Sequence, residues 1–188
     1  MNIVVTGKVG IGKTTVCEKV VEIARTLGYS CGGILTPKFQ EGITIVDVQT
    51  GEREVLASLT DIYQGPRTGR YFFNPEGITF GIKAIDRGIS SDILFVDEVG
   101  HLELKGEGFA KVMELVRAGK ARNSVLVIRK ELLSAFSARL GPNWLIIETN
   151  IYNRSQLPQR ICTLLTGNSP AYSSKREVSS KVSSLHQH

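Results

Sequence analysis

Cysteine is scarce in these 188 residues: Cys17, Cys31 and Cys162 make an odd number with no C-x-x-C spacing. That argues against a disulfide scaffold or a zinc ribbon and for a reducing compartment, the cytoplasm. Long apolar runs are missing too. Nothing approaches the roughly 18 consecutive apolar residues of a membrane-spanning helix. Residues Met1 to Lys8 also lack the basic stretch and following apolar segment of a secretory signal. There is no basic block: of a formal net charge of +5, two charges fall in the carboxy-terminal stretch, where Lys175, Arg176 and Lys181 face Glu177. A nucleic-acid surface therefore has little support, and no membrane partner is expected. An N-K-x-D segment is absent, so a guanine-selective pocket of the GTPase type has none.

The composition that remains, 41% apolar and 22% charged, is that of a globular chain long enough to bury a core without staples. Ile3-Val4-Val5 reads as a buried strand stopping at Thr6-Gly7. Val16, Val20, Ile23 and Leu27 recur at helical spacing over Lys13 to Leu27, with Gly28 as the stop. A strand follows over Ser30 to Leu35, then a hairpin over Gly42 to Ala57 turning at Thr50-Gly51. Gly65, Pro66 and Gly69 mark Asp61 to Arg70 as an exposed loop. Pro75 to Arg87 reads as a helix capped by Asn74.

Beyond it come a strand over Ile93 to Val96 ending in Asp97-Glu98, a helix over Phe109 to Val116, and a strand over Ser124 to Ile128. A helix over Glu131 to Leu140, a strand over Trp144 to Ile147 and a helix over Ser155 to Leu165 complete the pattern. Alternating strands and helices predict one α/β domain over residues 1–167, with a mainly parallel sheet, helices on both faces and an antiparallel edge hairpin. Residues 168–188 are rich in Ser and Lys and read as a disordered tail.

Gly7-Lys8-Val9-Gly10-Ile11-Gly12-Lys13-Thr14 fits G-x-x-x-x-G-K-[ST] in full, with a strand before it and a helix after it. Glycines let successive backbone N–H groups converge on one concavity, and the helix adds its positive N-terminal end. Gly7, Lys8, Val9, Gly10, Ile11, Gly12, Lys13, Thr14 and Thr15 are thus the expected nucleotide-binding residues. Lys13 is placed to span the β- and γ-phosphates and is expected to be catalytic. The Thr14 hydroxyl is expected to ligate Mg²⁺, and Thr15 to reach the α-phosphate side.

Such a loop needs an acidic partner at the end of another buried strand. Asp97 meets this as the expected second Mg²⁺ residue, through water, and Glu98 as the group that orients or deprotonates an attacking water. Arg129, ending Ser124 to Ile128, is either a γ-phosphate sensor or a surface partner of an acid such as Glu131. Arg67 and Arg70 are loop candidates for stabilising transition-state charge, or are simply solvated.

With both motifs in place, the chain resembles a small nucleoside-triphosphatase family that includes the human cancer-related nucleoside-triphosphatase and thermophile homologues. The segments that carry the likeness are Asn2 to Thr15, Gly33-Ile-Leu-Thr36, the Gly42 to Ala57 hairpin, Asp97-Glu-Val-Gly-His-Leu-Glu-Leu104 and Asn153-Arg154. The resemblance implies a RecA-like P-loop NTPase core. It also implies Mg²⁺-dependent hydrolysis of ATP, GTP, CTP and UTP to diphosphate and phosphate, with broad base tolerance and slow turnover. A monomer is expected. By the same analogy Glu103 assists the site, its alternative being a solvated acid. One departure is Arg129-Lys130-Glu131, where the family often carries a T-I-P-like turn.

Other readings remain open at this stage. Asn153 and Arg154 lie near the base or sugar, or are a cap and a solvated cation, while Trp144 reads as strand-end core. The spacing of Lys8 and Lys13 also fits the deviant loop of dimerising ATPases. A nucleotide or small-molecule kinase with a lid at Arg67 to Arg70 is a rival, as is a nucleotide-binding adaptor without hydrolysis.

Overall fold

The computed structural model describes residues 1–140 and 143–167; the stretch 168–188, expected to be disordered, lies outside the described residues. In chain order the elements are β1 (Asn2–Thr6), α1 (Lys13–Thr26), β2 (Cys31–Leu35), β3 (Lys38–Phe39), β4 (Gly42–Asp47), β5 (Arg53–Ser58), β6 (Arg67–Thr68), β7 (Tyr71–Phe73) and α2 (Pro75–Gly88). They continue with β8 (Ile93–Val99), α3 (His101–Leu104), α4 (Lys111–Arg117), β9 (Ser124–Ile128), a 3-10 turn (Lys130–Leu132), α5 (Leu133–Leu140), β10 (Trp144–Glu148) and α6 (Leu157–Thr166).

Side chains of a strand alternate between sheet faces, so a strand covered on both faces must be apolar at every position. The central strands show this. Val4, Leu94, Val96, Leu126 and Ile128 join one core, with α2, α4 and α5. Ile3, Val5, Ile93, Phe95, Val125 and Val127 join the other, with α1 and α6. Helices thus cover both faces.

The ten-stranded sheet runs β10-β1-β9-β8-β2-β4-β5-β7-β6, with β3 beside β4. β10, β1, β9, β8 and β2 are mutually parallel, and from β4 outward the pairing is antiparallel. β9 therefore lies between β1 and β8. Between β8 and β9 the register shifts from Val96 to Val99, which leaves Asp97 and Glu98 on a bulge.

The expected parallel sheet is present, but its antiparallel edge is larger than one hairpin. β7 and β6 extend it, and Asp61 to Arg70, expected as plain loop, contains β6. Strands of two or three residues are too short to show a period. Helix starts also move: α4 begins at Lys111, a 3-10 turn precedes α5, and α6 begins at Leu157 with Pro158 in its first turn. Backbone proximity fixes α2 against β2, since a Cβ at Gly88 would stand 2.2 Å from the Gly33 nitrogen.

Candidate active site

β1 hands the chain to a loop in which Gly7, Gly10 and Gly12 take φ of 143°, 78° and 101°. Side-chain-bearing residues adopt such backbone only with strain, and a Cβ at Gly7 would lie 2.6 Å from the Thr149 carbonyl oxygen. The loop opens directly into α1, which has no side-chain cap and no acid in its first turn. Its N-terminal N–H groups and positive dipole end are left for an anion.

Lys13 is buried, with 9% of its surface exposed, and its Nζ donates to the Gly7 and Lys8 carbonyls at 3.0 and 2.9 Å. Burial lowers its pKa, against the opposing pull of Glu98 and Asp97. Gly7 and Lys8 thus serve the site through carbonyls, while Val9, Gly10, Gly12, Lys13, Thr14 and Thr15 line a cleft of about 310 Å³. Ile11 does not line it and is half-buried.

Asp97 lines the same cleft although β9 separates its strand from β1. The Thr14 hydroxyl donates to Asp97 Oδ2 at 2.7 Å, and the Thr36 backbone N–H donates to the same oxygen at 3.2 Å. Asp97 is 2% exposed. Burial first, then the neighbouring Glu98, raises its pKa to about 6 against the hydrogen bond from Thr14. The donor set at this point is all oxygen, a hydroxyl and a carboxylate already in contact. That suits a hard cation that takes few protein ligands and completes its shell from phosphate and water. No group of three or more His, Cys, Asp or Glu able to hold a metal occurs among the described residues, so a closed all-protein cage is not offered.

Glu98 is the one non-glycine at positive φ among the described residues, at 61°. The bulge sets it there, with its N–H donating to Asp97 Oδ1 at 2.9 Å, and its carboxylate meets the end of β9. Arg129 Nη2 donates to both Glu98 oxygens, at 3.1 and 3.4 Å. Arg129 thus pairs with an acid, Glu98 rather than Glu131, and does so at the edge of the cleft it lines.

Other candidates separate. Glu103 is not a solvated acid: it is 3% exposed and accepts from the Gly100 and Phe109 N–H groups at 2.7 and 2.9 Å. Burial raises its pKa against those bonds, and it braces the backbone between α3 and α4. Asn153 and Asn150 clasp one another's backbone N–H groups, and the Asn153 amide donates to the Glu148 carbonyl, so Asn153 is a turn brace. Arg67 stacks over Phe72 and bonds the Gly69 carbonyl, outside the cleft. Trp144 packs against the core as expected. Pro37, and Lys38 at the start of β3, also line the cleft, and no sequence motif marks either of them.

A sequence profile of the family described as NTPase matches residues 2–162. The chain belongs to the NTPase family. It is 34% identical over 170 residues to the nucleoside-triphosphatase THEP1 of Methanopyrus kandleri, spanning 85% of this chain and 92% of that one. It is 33% identical over 168 residues to the THEP1 of Methanosarcina barkeri, spanning 86% and 95%. The crystal structure of THEP1 from the hyperthermophile Aquifex aeolicus superposes with a TM-score of 0.73 at 23% identity, over 88% of this chain and 99% of that one. This NTPase-family chain therefore has the fold expected of its phosphate loop. No helix among its described residues is long and apolar enough to cross a membrane.

Proposed function

We propose that the chain hydrolyses nucleoside triphosphates, ATP, GTP, CTP and UTP alike, to diphosphate and phosphate in a slow, Mg²⁺-dependent reaction. One observation carries this: Lys13, Thr14, Asp97 and Glu98, drawn from two strand ends that are not neighbours, line one cleft.

The loop amides and the start of α1 bind the polyphosphate, and Lys13 exchanges its two carbonyl partners for phosphate oxygens. Thr14 and Asp97 would hold Mg²⁺, which when bound neutralises charge on the phosphate oxygens. Glu98 accepts a proton from, and orients, the water that attacks the γ-phosphorus in line. Arg129 holds that carboxylate and lies within reach of the charge that builds on the transferred group. Contacts to the phosphates rather than to a base account for broad nucleotide tolerance, and every group named comes from one copy of the chain, so a monomer suffices.

Phosphate release measured with each of the four triphosphates, with and without Mg²⁺, tests this. Comparable release from all four, at a turnover below about 100 s⁻¹, is expected. Binding without release would instead favour an adaptor.

A further inference from the structure

A second pocket of about 340 Å³ adjoins the phosphate cleft and shares Val9, Lys38, Glu98 and Arg129 with it. Its position is informative. Thr15, the residue expected on the α-phosphate side, and Glu18, further along α1, line only the first cleft. The shared residues are those at the Glu98 end, so the second pocket opens on the face from which a nucleophile approaches the γ-phosphorus. A hydrolase needs one water there, yet this volume would hold roughly ten.

The walls are not those of a water channel. Ile43, Leu56, Tyr71, Phe73 and Phe109 make them apolar and largely aromatic. Thr68 also lines the pocket, and its buried hydroxyl has no hydrogen-bond partner among the described residues. Lys38 and Arg70 stand at the rim, 6.0 and 5.3 Å from the centre of the Tyr71 ring, and disfavour a cationic occupant. Glu98 at the mouth disfavours an anionic nucleophile such as a phosphate and suits one that brings a proton.

We propose that this pocket binds a ring-bearing alcohol of about nucleoside size as a phosphoryl acceptor, in competition with water. The inference rests on the triphosphate site described above. The ring lies among Tyr71, Phe73 and Phe109, and the hydroxyl reaches Glu98. In the step, the alcohol oxygen forms a bond to the γ-phosphorus as the bond from phosphorus to the β–γ bridging oxygen breaks. That electron pair leaves on the nucleoside diphosphate, and the hydroxyl proton passes to the Glu98 carboxylate. The products are a phosphate monoester and the diphosphate.

The test uses the full chain with Mg²⁺ and ATP labelled at the γ-phosphate, and follows label into inorganic phosphate and into organic monoester. Adenosine, uridine and benzyl alcohol serve as acceptors. At least one is expected to raise labelled monoester tenfold or more over the acceptor-free control, with phosphate release falling as monoester rises. Tyr71→Ala and, as a milder change, Thr68→Val are expected to cut monoester formation at least tenfold and fivefold while phosphate release without acceptor stays within twofold. Phosphate release with no monoester from any of the three overturns the acceptor site and leaves hydrolysis standing. Monoester formation that both variants leave unchanged overturns the pocket assignment. Absence of phosphate release in the acceptor-free control is a failure of the hydrolysis reading instead.

Discussion

Arg129, the residue that follows β9, donates from one guanidinium nitrogen to both carboxylate oxygens of Glu98, which projects from the bulge in β8. Both side chains are mostly buried, at 26% and 19% exposure, so this pair is screened less than a surface bridge. Removing the arginine takes the partner from a mostly buried carboxylate beside Asp97. Arg129→Ala is expected to lower kcat on the order of 100-fold, the scale of losing one charge-stabilising donor. Arg129→Lys is expected to recover part of it, because a single nitrogen makes both contacts. Steady-state phosphate release decides, and equal loss in both variants contradicts the single-nitrogen reading.

Glu98 has a left-handed backbone, which costs an L-residue about 1–2 kcal/mol and glycine almost nothing. Glu98→Gly is therefore expected to be more stable than Glu98→Ala by about 1 kcal/mol, with both variants losing hydrolysis and Glu98→Gln keeping nucleotide binding. Urea unfolding of the first two, with nucleotide titration of the third, makes the check. An alanine variant as stable as the glycine one would show that the backbone carries no strain.

Asp47 is fully buried and accepts from the Arg87 guanidinium and the Gln49 and Thr50 N–H groups. Burial raises its pKa, but these partners outweigh burial and hold the carboxyl below its ordinary value. A depressed folded pKa gives stability that is complete above the unfolded value, about 3.9, and is lost as pH falls through the folded one. Asp47→Asn is expected to lower the urea midpoint at pH 7, and the gap to the parent should close below about pH 4. Glu103 has the opposite sign, its raised pKa making protonation favour the folded state, so the difference between parent and variant isolates Asp47. A gap unchanged down to pH 2.5 contradicts the assignment.

Gly88 admits no side chain, because its missing Cβ would overlap the Gly33 nitrogen. In an exposed helix Gly→Ala usually stabilises. Here Gly88→Ala is expected to destabilise by about 1–3 kcal/mol, the range for overpacking. Thermal melting gives the sign at once.

Much of this was legible from sequence because it is local. The phosphate loop is a contiguous motif, and Asp97 announces itself as the first polar residue after Ile93-Leu-Phe-Val96, a run apolar because two cores claim its alternate side chains. What stayed hidden depends on pairing. The bulge at Asp97-Glu98 is a property of β8 against β9, so neither the positive φ nor the partnership with Arg129 shows in either segment alone. For Glu103 the sequence leaves a site role and solvation both open, because its two donors, Gly100 and Phe109, are backbone groups that only tertiary structure brings to it. β6, β7 and α3 have two to four residues each, too few for a hydrophobic pattern to repeat.

The place of β9 has a consequence for synthesis. A nascent chain that has left the ribosome only as far as residue 123 already carries the phosphate loop and Asp97, yet it lacks the strand that seats them across from each other. Neither of the strands that pair with β1, β9 on one side and β10 on the other, has then been made. Nucleotide capture during translation must therefore wait until Ser124–Ile128 slots between β1 and β8, and truncated products ending before it should emerge without ligand-dependent protection from proteases.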